Sequence, residues 1–336
     1  MAENTKKVKI SKKDKDMNAL TPTANTLLNI LLIVAVVITV IPLWVIIVAS
    51  LTNEQALQTY GYGFWPQEWS IRAYTYLFSR GSVIGTAYKN TIIATIVGTL
   101  LCLCSVGLYA YPISRKDFRW RNFFTFLSFF TMLFNAGTVA FYVVSRQILG
   151  IGNSIWALFL PLSFSAYWVI IMRTFYQSNV PEAVIESARI DGAGEWRTLL
   201  QIVLPLAVPG LATVALFAAI GIWNNFFNCM LLVDEAKYYN LQYTIYQTLN
   251  SIRFLKEMAA SVGSLATQIA DLPSETFRMS MAVVTVGPIC LAYPFFQKYF
   301  VKGLTIGAVK GYAAKNQGLP CKSTAALFLR LNAAFC

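Results

Sequence analysis

Glu182 and Glu186, one helical turn apart in this 336-residue chain, are a carboxylate pair of the kind acid–base chemistry uses. An enzyme would also need a nucleophile, a base or a metal cluster within reach, and no such constellation accompanies them. Histidine is absent, which removes the commonest general base and the commonest metal ligand. None of the six cysteines pairs at zinc-ligand spacing, and Cys102, Cys104 and Cys290 fall in apolar stretches as small packing residues. No G-x-x-x-x-G-K-[ST] phosphate loop occurs, so any ATP-driven work requires a separate polypeptide. No metal, cofactor or catalytic residue is expected. The two glutamates then read either as a docking surface or as a solvated helix face with local ion pairs, Arg189 following Glu186 by three. A second group could bind without reacting. Asn135, Trp223, Asn224 and Asn225 combine amide hydrogen bonding with an aromatic face, which suits a sugar, and they could equally bond one helix to another.

The elements that hold these residues follow from composition. Apolar residues make up 57% of the chain and charged ones only 12%, against about a quarter in soluble domains. That balance excludes a soluble enzyme and a disordered chain and leaves a multi-span, all-α membrane protein. Each crossing needs roughly 20 apolar residues. Uncharged stretches place spans at residues 27–50, 91–113, 123–144, 154–172, 206–227 and 280–296, six in all, with both termini on one side. The net charge of +12 speaks to topology, not to nucleic acid. Of the 27 Lys and Arg residues, 19 lie in the two tails and the loops sharing their side, and 8 in the opposite loops, so both termini are expected in the cytoplasm. The basic run from Lys6 to Lys15 followed by an apolar stretch could also be a signal peptide. That stretch is longer than the 7–15 residues of a signal h-region, and the first span is expected to be retained. No span carries a charged residue, which argues against a proton-coupled carrier, while sodium coupling through carbonyls stays open.

One loop on the inner side, residues 173–204, is the most informative stretch. Pro181 suits the first position of a helix with Glu182 in its first turn, and Gly192 suits its end. The spacing predicts a helix over 181–191 and a second over 195–203, stopping before Pro205. Trp196, Leu199, Leu200 and Val203 would form one apolar stripe. Ala183, Ser187 and Ala188 are small residues that would let another surface approach closely.

Glu186-Ser187-Ala188, Asp191-Gly192-Ala193 and Ile202-x-Leu204-Pro205 together resemble the EAA loop of binding-protein-dependent ABC importer permeases, with Ser187 in place of the second alanine. The resemblance runs from about Leu27 to Gly311. It includes Phe64-Trp65-Pro66, Ala110-Tyr111-Pro112-Ile113-Ser114-Arg115 and Trp223-Asn224, and is most similar to the second permease of a maltose-type carbohydrate importer. Family members often carry proline near Asn240. The resemblance implies a type I permease fold in a bacterial inner (cytoplasmic) membrane. It also implies a second homologous permease, an ABC ATPase dimer and an extracytoplasmic sugar-binding protein, with membrane lipid around the spans and no nucleic acid. The chain would then divide into a basic tail (1–26), a permease domain (27–311) and an extension (312–336). It would form the path for an oligosaccharide or sugar derivative by alternating access, hydrolyse nothing itself, and contact the ATPase through Glu182, Glu186, Ser187, Ala188, Asp191, Gly192, Ala193, Leu204 and Pro205. An ion-coupled transporter or channel without an ATPase is the alternative.

Overall fold

A computed structural model describes residues 22–79, 81–261, 275–291 and 294. The tail up to residue 21 and the extension 312–336 lie outside the described residues. Regular structure in the described chain is helical, with one isolated antiparallel bridge between Thr52 and Trp69. The chain forms two units.

The first unit comprises the described residues 22–75 and 275–283. Its helix α1 runs from Pro22 to Ser50 and passes through Pro42. Every side chain from residue 25 to residue 44 is exposed, although nearly all are apolar. Such a surface is at home in hydrocarbon and would aggregate in water. After α1 the chain turns at Thr52 into α2 (Glu54–Tyr60), capped by the Asn53 side chain, which accepts from the Gln55 N–H. Ser50 Oγ bonds Tyr74 Oη at 2.8 Å, at the start of α3 (Arg72–Ser79). The Glu54 carboxylate accepts from the backbone N–H groups of Glu275 and Thr276 at 3.1 and 2.9 Å and from Thr276 Oγ1 at 2.7 Å. It therefore caps the helix formed by residues 275–291, where a negative charge meets the positive end of the dipole.

The second unit is organised around α4 (Gly81–Ser114), a 34-residue helix. Cys102, Val106, Ala110, Tyr111 and Ile113 are buried along it, among Val169, Met172 and Tyr176 of α8 (Ala166–Asn179) and Val214 and Ala218 of α12 (Val208–Trp223). Close approach depends on small residues. A Cβ built on Gly98 would lie 2.7 Å from Phe159 Cβ and 2.8 Å from Ile222 Cδ1, and one on Gly210 would lie 2.7 Å from the Phe175 ring. Small residues at helix contacts are how membrane helices gain packing energy when apolar burial gives none.

Apart from the 21-residue α14, the other described helices of this unit are short or bent. They are α5 (Arg121–Leu133), α6 (Gly137–Tyr142) running into a π-turn over Val143–Ile148, α7 (Trp156–Phe159), α9 (Glu182–Ile190), α10 (Glu195–Thr198), α11 (Leu204–Leu206) and α13 (Phe227–Leu232), and α14 (Leu241–Ser261) follows them. Among the described residues two unbroken helices are long and apolar enough to cross a membrane, Thr23–Ser50 and Val83–Ser114, and up to five crossings result if each bent pair is one span. The expected third span, 123–144, is not continuous. It bends by 118° between α5 and α6, because the Asn135 Oδ1 accepts the Gly137 N–H at 2.9 Å and Gly137 takes φ +79°. The fourth bends by 47° after Leu162. Part of the sixth expected span, residues 292–293 and 295–296, lies outside the described residues.

Candidate functional site

The 173–204 loop is built by local chemistry and tied down by distant partners. Pro181 is the N-cap of α9, with extended backbone at ψ 135°, so the helix starts one residue later than expected. At the other end Asp191 is the C-cap, Gly192 N–H bonds Arg189 O at 3.0 Å and Ala193 N–H bonds Ala188 O at 2.9 Å. That pair of bonds is the Schellman arrangement, and it requires the φ of +78° found at Gly192. Gly194 then caps α10.

Two sequence expectations are corrected here. The second short helix does not stop before Pro205. Leu199–Val203 opens into a π-turn, and helical backbone continues through Leu204–Leu206 before bending by 77° into α12. The wider turn makes room for the proline ring, which would clash with a carbonyl in a regular α-helix. The apolar stripe is also only half buried: Leu199 and Val203 are covered, while Trp196 is 68% exposed and Leu200 is exposed. Of the small residues on α9, Ala188 is buried against the core beside Ile185, and only Ala183 and Ser187 face outward.

The charges sort themselves in a way that spacing did not reveal. Arg189 does not pair with Glu186. Its guanidinium bonds Asp117 at 2.7 Å and Glu195 at 2.8 Å, joining α9, α10 and the turn after α4. The other Glu195 oxygen accepts from Tyr111 Oη at 2.7 Å. Glu182 pairs with Lys116 at 2.6 Å. Glu186 is exposed and has no ion pair among the described residues. The last carbonyls of α4 are satisfied by α8, with Arg173 Nε on Ile113 O at 3.1 Å and Gln177 on Ser114 O at 3.2 Å. Between the α4 end and α10 lies a pocket of about 450 Å³, walled by Pro112, Phe118, Trp196 and Leu199. The resulting surface exposes Glu186, Ile190, Asp191 and Trp196 on a braced two-helix elbow. It can dock a partner, and it holds no group placed for catalysis.

The Arg189 bond, and then the Tyr111 bond, hold the Glu195 carboxyl below its usual range. A depressed acid contributes its stability above the unfolded value, about 4.3, and loses it as pH falls through the folded value. The elbow is thus expected to hold from neutrality down to about pH 4.3 and to loosen below. Arg189→Ala should bring that loosening to neutral pH, read as faster hydrogen exchange at the Ala193 and Thr198 amides with the spans still inserted. Because the ion pairs are exposed and screened by solvent, the stability lost should be small and local to the elbow. Unchanged exchange would mean that the glycine turn alone holds the elbow.

On the opposite part of the unit, the four amide and aromatic candidates do not converge. Asn135 forms the turn between α5 and α6. Trp223 is buried, and its indole N–H donates to Thr285 O at 3.2 Å, a helix-to-helix bond. Asn225 accepts the Asn228 N–H at 2.9 Å, and its carbonyl accepts from the Asn240 amide. Asn240, where relatives often have proline, also caps α14 by accepting the Tyr243 N–H at 3.0 Å. Asn224 is exposed, as Asn135 is, and receives one bond at 3.2 Å from Gln242. Sequence reasoning also missed a latch in which Arg146 lies over the Tyr142 ring and bonds Asp234, whose N–H donates to Asn153 Oδ1.

Residues 103–306 match the family of binding-protein-dependent transport system inner membrane components, a span containing the whole 173–204 loop and the Asn224 region. The chain belongs to this family. Protein LplC of Bacillus subtilis is 35% identical over 82% of this chain and 90% of its own length. The polygalacturonan/rhamnogalacturonan transport system permease protein YtcP of the same organism is 33% identical over 83% of this chain and 96% of its own. A crystal structure of a bacterial ABC transporter involved in import of the acidic polysaccharide alginate superposes with a TM-score of 0.70. It covers 86% of this chain and 98% of its own at 28% identity. The importer permease fold and the role follow: this chain is a non-catalytic permease subunit of an ATP-driven importer.

Proposed function

We propose that this permease is one of two homologous membrane subunits of an importer for an oligosaccharide or sugar derivative in a bacterial cytoplasmic membrane. An ABC ATPase dimer would drive it and an extracytoplasmic sugar-binding protein would supply it. The observation that carries the sugar class is the 33% identity across nearly the whole of a permease named for polygalacturonan and rhamnogalacturonan transport. The braced elbow supports the ATPase reading. Glu186, Ser187, Asp191 and Gly192 stand exposed, with Ala193 part-covered between the helices, while Ala188 holds α9 to the core from beneath. Glu182 would lend its charge alongside Lys116, and Leu204 and Pro205 would act through the bend into α12. Closure of the ATPase dimer would move the elbow as a lever, and rigid elements would carry the change to the spans.

Six spans with both termini in the cytoplasm complete the proposal, with the bent pairs Arg121–Leu133/Gly137–Ile148 and Trp156–Leu162/Ala166–Asn179 each serving as one crossing and Val208–Trp223 crossing beyond the elbow. A broken helix within a membrane is tolerated where its freed backbone lines a cavity or is buried in protein, so the bends at 134–136 and 224–226 are consistent with a path. Among the substrate-path candidates, Asn135 and Asn224 are exposed and would face it, while Trp223 and Asn225 are engaged in bonds that hold the neighbouring backbone. Cysteine labelling tests the topology. With native cysteines removed, Cys placed at Glu257 should react only from outside and Cys at Arg197 only from the cytoplasm. Reaction of both from one face would overturn the layout.

A further inference from the structure

We propose that a tyrosine face on α14, together with the helix break at Asn224–Phe226, forms a sugar-stacking site along the translocation path. The proposal rests on the sugar-importer reading and adds a site to it. Tyr243 and Tyr246 lie three residues apart on one face of α14, and Tyr239 stands in extended backbone just before the helix begins. The rings of Tyr243 and Tyr246 lie within 20° of parallel, 6.4 Å apart, and Phe226 continues the run at 5.4 Å and 31° from Tyr246. Tyr239 meets Tyr243 edge-on at 4.8 Å. Tyr246 is 43% exposed and Phe226 38%, so ring surface is open to a ligand.

Polar groups frame the rings. Asn224 ends α12 and is exposed, with Gln242 bonded to it from the first turn of α14. Gln247 bonds Tyr243 Oη at 2.8 Å and fixes that ring. A pyranose presents apolar C–H groups on its faces and hydroxyls around its edge. Flat rings bordered by amides match both, and an apolar lipid tail would use only the rings. The helix break adds a second reason. Between α12 and α13 the backbone leaves the helical pattern, and within a membrane such backbone belongs beside a water-filled space or inside protein. Asn224 is exposed at this break, as the first of these requires.

The whole importer, reconstituted with its ATPase, partner permease and binding protein, offers the test. Maltotetraose and tetragalacturonate serve as neutral and acidic probes, and sugar delivered per ATP hydrolysed is the readout. Tyr246→Ala and Asn224→Ala should each lower that ratio about tenfold for the transported sugar. Tyr246→Phe, which keeps the ring, should stay within about twofold. A wild-type ratio in both alanine variants would overturn the site while leaving the importer reading intact. So would equal loss in Tyr246→Phe and Tyr246→Ala, since stacking does not need the hydroxyl. Delivery of neither sugar by the wild-type importer would overturn the sugar reading, and the site with it.

Discussion

Gly192→Val is expected to leave the spans inserted and to uncouple ATP hydrolysis from uptake. Gly192 sits at φ +78° between α9 and α10, and a Cβ there would meet no atom within 4 Å. The penalty is therefore backbone strain and not a clash. A β-branched residue in the left-handed region costs on the order of 1–3 kcal/mol, which the turn can shed by abandoning the Schellman bonds. Losing them would swing α10, and with it Trp196, away from the geometry that Arg189 and Glu195 brace. Gly192→Asn gives the matching control, because asparagine tolerates the left-handed region. Uptake by the asparagine variant should exceed that by the valine variant severalfold at equal amounts of permease in the membrane. Equal uptake by the two would separate the elbow's shape from its function.

Gly98→Leu is expected to have the largest structural effect. A Cβ at this position would stand 2.7 Å from Phe159 Cβ, and that residue is almost wholly buried. The clash involves an atom fixed to the backbone, so α4 and α7 must separate, and Ile222 at 2.8 Å blocks the other direction. Overpacking of this kind costs about 1–3 kcal/mol and sometimes more, for alanine as well as leucine. Gly98→Ala should lower the thermal midpoint of the purified permease by several degrees, and Gly98→Leu should give no recoverable folded protein. Gly107→Ala should be neutral by comparison, since its Cβ would find its nearest atom, Tyr176 Oη, at an ordinary 3.6 Å. A similar loss at positions 98 and 107 would show that helix propensity, not interhelix distance, governs these glycines.

Local signals carried much of this architecture. Apolar run length located α1 and α4, and the loop's proline and glycine placed α9 to within a residue at each end. What the sequence concealed is non-local. Arg189 looks like a partner for Glu186 three residues away, yet it reaches Asp117, 72 residues back in the chain. Tyr111 and Glu195 are 84 residues apart, and no spacing rule joins them. Bends were equally hidden. An uncharged stretch such as 123–144 satisfies a length criterion whether or not its middle is helical, and the break came from one asparagine side chain satisfying one glycine N–H. Pro205 misled in the opposite direction, because a π-turn absorbed the ring that would otherwise have ended the helix. Trp223 had the composition of a sugar contact, and its indole is engaged by Thr285 O.

The exposed elbow is proposed to join this permease to an ATPase, and Glu186 is its most specific residue because no described group forms an ion pair with it. A charge-assisted bond to a basic side chain of the ATPase would be stronger than a neutral one and sensitive to sign. The direct measurement is the ATPase activity that co-purifies with tagged permease from native membranes, compared between wild type and Glu186→Lys. Stoichiometric ATPase is expected with the wild type, at least a tenfold loss in Glu186→Lys, the ratio expected when about 1.4 kcal/mol is removed, and recovery when an acidic substitution is placed in the ATPase. No ATPase with the wild type, or equal ATPase with the variant, would contradict it.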